Sequence, residues 1–301
     1  DSQSSIEKLI EYPFDYVTDY VLQLYDSSDL QLQDVRIVKG LVAHLFVERL
    51  VKDCGEKLEK MKKLLDTEFD DRFDEAVRRK GLVLNLRENR TELVIFRKTL
   101  RESVQTLIGI LWDNALSPIE CESSFEEGFA LDDPIGEFGG SVDFITRRQD
   151  GSLVVIDFKW SESSFYAGKL KDNTAIQLEL YRVAVEKREK KKVSAVGYYL
   201  FPKKTLYTCQ NLEGKDVVCV KGAPMESDLV TVIGNSIKAR KEQLKAGTLE
   251  MAEGFANENI SYAGDNGTTV IPLPVSSGKK RSPFGQGAES TPHQVLKDMI
   301  K

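Results

Sequence analysis

The stretch "GSLVVIDFKWSES", residues 151–163, runs four apolar residues into Asp157 and then Lys159. Side chains alternate along a strand, so Val154, Ile156 and Phe158 share one face while Val155, Asp157 and Lys159 share the other. Apolar residues on both faces mark a central, buried strand. An acid and a lysine at the end of such a strand sit at the lip of the core, where burial is costly unless something compensates. They either pair with each other or form half of a metal site, and the strand alone leaves both readings open.

Moving outward, "QDG" at 149–151 supplies Asp-Gly, the strongest short hairpin signal. It predicts that "GGSVDFITRR" (139–148) is the partner strand of "SLVVIDFKW" (152–160). "SPIECESSFEEGFAL" (117–131) alternates in part and reads as a further strand, and "KKVSAVGYYLFP" (191–202) as another, ended by Pro202. Helices are expected over 173–190 and 228–247. Before the strands the chain reads as helix: 4–25 with Pro13 as a break and Ser5 capping the first turn, 34–66 as one long helix with Ile37, Leu41 and Leu45 at helical spacing, and 67–115 punctuated by Gly81. The order is a helical preface followed by a mixed α/β core. From 254 onward Gly, Ser, Pro and Asn accumulate, and a loop-rich tail is expected.

The 301 residues suffice to bury a substantial core, and 41% hydrophobic with 30% charged residues is ordinary for a globular chain. No apolar run approaches the roughly 18 residues that span a bilayer, and the start lacks a basic-then-apolar signal pattern. No membrane association and a cytoplasmic location are therefore expected. The chain begins on Asp rather than Met, as expected of a piece of something longer. A net charge of −6 argues weakly against nucleic acid, but a local basic groove can bind phosphates on an acidic protein. The basic runs Arg78–Lys80, Lys187–Lys192 and Lys279–Arg281 read first as solvated faces. Cys54, Cys121, Cys209 and Cys219 include no C-x-x-C pair and suit neither a zinc site nor a disulfide framework.

Asp143 lies in the hairpin arm leading back to Asp157. Two carboxylates from adjacent strands can converge on one hard divalent cation such as Mg²⁺. A lysine beside them can orient a water or offset charge on a phosphate. Phosphodiester hydrolysis is the reaction that best fits two acids, a lysine and a divalent metal. Glu120 and Glu122, two residues apart and so expected to point the same way, stand on the preceding strand as further candidates, and the sequence does not choose between them.

Asp143 with Asp157-Phe158-Lys159 resembles the PD-(D/E)XK nuclease superfamily. Three further segments resemble its RecB/AddB-type nuclease modules. "AIQLELYRVAVEK" (175–187) places Gln177 and Tyr181 four apart on one helix face, as in their Q-x-x-x-Y helix. "GLVAHLFVERL" (40–50) is similar to their G-x-x-x-H helix, with Gly40 and His44. "SSIEKLIEYPFDYVTDYVLQL" (4–24) is similar to the segment that opens the module. A lone histidine on an apolar helix face is most often a hydrogen-bonded core residue, but beside the rest of this set a ligand is expected.

The resemblance implies a restriction-endonuclease-like α/β core, a mixed central sheet flanked by helices, behind an N-terminal helical region. The domain would span 1–253, with a helical part (1–115), a catalytic core (116–253) and the tail (254–301) beyond it. His44, Asp143, Asp157 and the Phe158 carbonyl would hold Mg²⁺ or Mn²⁺. Lys159 would position the attacking water and neutralise charge at the scissile phosphate, and Gln177 and Tyr181 would orient Lys159 or the phosphate by hydrogen bonds. The implied substrate is DNA, with single-stranded ends cut by an exonuclease of recombination and repair, and the implied partner is a helicase domain or subunit. The cluster-binding cysteines of some relatives are missing: Tyr12 stands at the opening cysteine position, so no iron–sulfur cluster is expected. Trp160 replaces a small residue and either narrows the site or stacks on a base. A degenerate nuclease fold kept as a DNA-binding or scaffolding module is the alternative, and an RNA or structured-DNA substrate also stays open.

Overall fold

In the computed structural model, which describes residues 3–23, 34–131, 135–210, 212–221 and 229–247, six strands form one sheet in chain order. They are β1 (Ser117–Ala130), β2 (Glu137–Arg147), β3 (Leu153–Lys159), β4 (Val193–Leu200), β5 (Thr205–Thr208) and β6 (Val217–Cys219). Neighbours are antiparallel except β3 with β4 and β5 with β6. The expected hairpin joins β2 to β3. The Gly151 amide donates to the Arg148 carbonyl at 3.0 Å, Asp150 accepts from the Ser152 amide at 2.9 Å, and Gly151 takes φ +84°, a conformation that costs a residue without Cβ little. A parallel neighbour needs a crossover. Here α6 (Phe165–Lys171) and α7 (Ile176–Glu189) carry the chain from β3 to β4.

Every residue of β3 except Lys159 is buried, as its doubly apolar pattern requires. Its Val154–Ile156–Phe158 face belongs to a core shared with three helices, α3 (Val35–Cys54), α4 (Leu58–Lys80) and α5 (Arg90–Asp113). An unbroken series of ring contacts links Phe46, Phe69, Phe73, Phe96, Trp160, Phe201 and Phe158, with centroids 4.8–6.0 Å apart. Each fully buried large side chain adds about 1.5–3 kcal/mol of transfer free energy, so this aromatic spine anchors the end of β3 against the helices. The mixed sheet flanked by helices behind a helical opening is the restriction-endonuclease-like architecture expected from the motifs.

The chain divides into two compact units, residues 32–132 with 136–230, and residues 1–31 with 133–135 and 231–301. The described part of the latter comprises α1 (Gln3–Glu11), α2 (Pro13–Tyr16) with a π-helical extension to Val21, and most of α8 (Leu229–Lys245). Within it, buried Arg240 donates to the Ile10 carbonyl at 3.3 Å. Pro13 stands at the first position of α2, where a missing N–H costs nothing.

Several expectations fail. The long helix over 34–66 is two: α3 stops at Cys54, Gly55 takes φ +59°, and α4 starts at Leu58. The 67–115 region is helical as expected: α4 ends at Lys80, just before Gly81, and two short 3₁₀ turns lead into α5. Ser5 lies buried inside α1 rather than at its cap. α6, β5 and β6 carry too few residues for periodicity to reveal them. Residues 254–301, including the basic run 279–281, lie outside the described residues. Among those described, no helix is long and apolar enough to cross a membrane.

Candidate active site

The register across three strands places the acids in a row. Phe144 pairs with Ile156, so Asp143 stands across from Asp157, and Cys121 pairs with Phe144 while Ser123 pairs with Val142, so Glu122 stands across from Asp143. Past Phe144 the backbone pairing gives way to side chains: the Phe158 amide donates to Asp143 Oδ2 at 2.7 Å. Asp143 is 7% exposed and Asp157 0%.

α3 delivers His44 to the same place. Nδ1 lies 2.7 Å from Glu122 Oε1, Nε2 lies 3.1 Å from the Phe158 carbonyl oxygen, and Nε2 is 3.9 Å from Asp143 Oδ2. A carbonyl only accepts, so Nε2 donates, and facing a carboxylate Nδ1 donates too. The ring in this arrangement is imidazolium. Burial opposes that charge, but the Glu122 hydrogen bond and the Asp143 charge outweigh it and raise the His44 pKa. For Glu122 burial is likewise overcome, by the His44 contact, and its pKa falls.

Lys159 Nζ sits 2.7 Å from Asp157 Oδ2 in an ion pair, and Asp157 Oδ1 has no hydrogen-bond donor among the described residues. Burial raises the Asp157 pKa. Burial and the neighbouring Asp157 charge push Asp143 up to about 8. Burial works against Lys159, yet the two carboxylates hold its pKa above the ordinary value, so it is an ammonium at neutral pH. Tyr181 is buried, accepts a hydrogen bond from Gln177 Nε2 at 3.0 Å, and has its pKa raised by burial and by the charges of Asp157 and Asp143.

Two buried carboxylates that resist ionisation, one with an orphaned oxygen, form a site short of positive charge. His44, Glu122 and Asp143 each offer a ligand atom within 4.8 Å of the others. The spacing of 3.1–3.9 Å from Nε2 to the Phe158 carbonyl and Asp143 resembles that of neighbouring ligands about 2.1 Å from one small cation, which stand about 3 Å apart. These residues fit a small divalent metal, for which His44 must give up its Nε2 proton. Asp157 is not one of this closest group and pairs with Lys159.

Glu120 and Glu122 do not point the same way. Glu122 takes φ +52°, which breaks the strand's alternation and turns it to His44 and Ser141. Glu120 instead accepts from Arg188 at 3.1 Å and Ser123 at 2.5 Å. A strained non-glycine residue beside two acids is a feature of functional sites, but nothing in "PIECESS" announces it. Trp160 stacks on Phe201 and meets Phe96 edge-on, so its ring belongs largely to the core. Of the basic runs, Arg78 and Arg79 pair with Glu75, while Lys80 lines the open cavity of about 630 Å³ above the acids.

The model of the PD-(D/E)XK nuclease superfamily matches residues 2–265. No curated protein matches the chain.

Proposed function

Since the chain belongs to the PD-(D/E)XK nuclease superfamily, we propose that it is a metal-dependent deoxyribonuclease of the RecB/AddB type, an exonuclease that shortens single-stranded DNA ends in recombination and repair alongside a helicase domain or subunit. On this reading one nuclease domain covers 1–253 and 254–301 is its tail. The reading includes no iron–sulfur cluster, on the spacing of the cysteines. The observation that carries it is the convergence of His44 Nε2, the Phe158 carbonyl and Asp143 beside the Asp157–Lys159 pair.

His44, Asp143, Asp157 and the Phe158 carbonyl, with Glu122, would hold Mg²⁺ or Mn²⁺. Bound there, the ion would lower the pKa of a water and offset charge on the scissile phosphate. Lys159, kept cationic by the two carboxylates, faces the negative charge that grows on the phosphate as water adds and the P–O bond breaks. Its ammonium is a poor proton acceptor, so its role is electrostatic rather than that of general base. Glu122 fixes the His44 ring through Nδ1, leaving Nε2 aimed into the site. Gln177 and Tyr181, joined by a hydrogen bond, would orient Lys159 or the phosphate.

The test is cleavage of end-labelled single-stranded DNA, duplex DNA and RNA in Mg²⁺, Mn²⁺ and EDTA, with Lys159→Ala as the contamination control. Metal-dependent shortening from an end that vanishes in the variant is expected. Cleavage that persists in EDTA or in the variant overturns the reading, and absence of both cleavage and metal binding leaves the scaffolding alternative.

A further inference from the structure

One helix face remains without a task. Buried residues of α3 fall at Val38, Val42, Phe46, Val47, Leu50, Val51 and Cys54, as a core-facing stripe should. The opposite stripe is also apolar in part: Ile37 is 61% exposed and Leu41 42% exposed, and both line the cavity above the acids. Branched aliphatic side chains held in water beside carboxylates and a lysine gain nothing from the fold. A phosphate has no use for them, and the C–H surface of a deoxyribose is smaller than the face of a base. The faces of nucleobases suit them, because a base is polar at its edge and apolar across its plane.

Resting on the nuclease reading, we propose that Ile37 and Leu41 form a nucleobase wall that admits an unpaired strand. At 1.5 Å per residue, Leu41 stands about 5 Å and Ile37 about 10 Å before His44 along the helix axis, one and two turns from the chemistry. The bases next to the scissile phosphate lie against these turns. In a duplex the same base faces are hidden in the stack, so the wall has nothing to touch. Charge follows the same course. Arg36, which is paired with Asp34, precedes Ile37 on the helix, and Lys80 lines the cavity with it. Lys80 has no ion pair among the described residues, so its ammonium is available to a flanking phosphate. Tyr166, its ring centroid 5.8 Å from Lys159 Nζ, also lines the cavity. Trp160, the more obvious stacking candidate, is already packed on Phe201 and Phe96.

The experiment measures binding by fluorescence anisotropy, with Ca²⁺ and separately with EDTA, to three probes: a short oligothymidylate, an abasic deoxyribose-phosphate strand of equal length, and the corresponding duplex. The parent binds oligothymidylate most tightly. In Ile37→Ser/Leu41→Ser, affinity for oligothymidylate falls roughly tenfold and the gap to the abasic strand closes, because the variant has lost only base contacts. Both positions are exposed, so the melting temperature holds, and single Ala variants give intermediate losses. An equal loss on the oligothymidylate and abasic strands, no loss on either, or a parent that binds duplex as tightly as single strand overturns the wall. If the gap closes but the parent cleaves none of the substrates, the nuclease reading fails and the wall stands; if it cleaves but the gap ignores both residues, the wall alone fails.

Discussion

Neutralising Asp143 should stabilise the metal-free protein at alkaline pH and destroy its metal site. Burial and the charge of Asp157 lift the Asp143 carboxyl from 3.8 to about 8. At 1.36 kcal/mol per tenfold change in proton affinity, keeping this group ionised inside the fold costs roughly 6 kcal/mol at the upper limit. The sign follows from linkage. The unfolded chain releases this proton near pH 4 and the folded chain holds it to about pH 8, so the folded state binds more protons across that window and its stability falls as pH rises through it. Below the window the contribution vanishes. Asp143→Asn removes the charge and relieves Asp157, whose own pKa is raised. In EDTA the parent should therefore lose stability from about pH 4 to about pH 8, and the variant should lose less. Divalent metal should stabilise the parent more at the upper end than the lower, and the variant at neither. Chemical denaturation across this range, with and without Mn²⁺, checks all three. A parent with flat stability, or a variant with the parent's slope, would show that the two carboxylates do not share a low-dielectric site, and the electrostatic account of the metal site would be refuted.

Lys159→Ala should cut the cleavage rate on the order of 10²–10³-fold while metal still binds, measured by single-turnover cleavage beside calorimetry; undiminished cleavage sinks the electrostatic role. Glu122→Gln should weaken metal binding about 10–100-fold by freeing the His44 ring, and Glu120→Gln, which loosens only Arg188 and Ser123, should leave it unchanged; the reverse order in a titration would contradict the geometry. Phe96→Ala, in the middle of the aromatic spine and 0% exposed, should lower stability by about 3–5 kcal/mol in urea unfolding, and a loss below about 1 kcal/mol would mean that the spine does not anchor β3.

Local pattern alone determined what depends on neighbours in the chain. The apolar run 153–156 reads as a central strand and Asp150-Gly151 as a tight turn, and together they put Asp143 and Asp157 on the two arms of one hairpin, as the register bears out. The four-residue spacing of Gln177 and Tyr181 likewise placed them on one face of α7, where a hydrogen bond joins them. His44 was legible only through its resemblance to a motif, because its partners come from 78 and 114 residues away. Tertiary structure decided between Glu120 and Glu122, since a single positive φ overrode the strand's alternation. It also divided the stripe of Ile37, Leu41 and Leu45, leaving Ile37 and Leu41 exposed while Leu45 packs against the core. Periodicity reports that a helix face is apolar, but whether that face meets the protein's interior or an open cleft depends on what the rest of the chain packs against it, and α4, α5 and β3 took the opposite side.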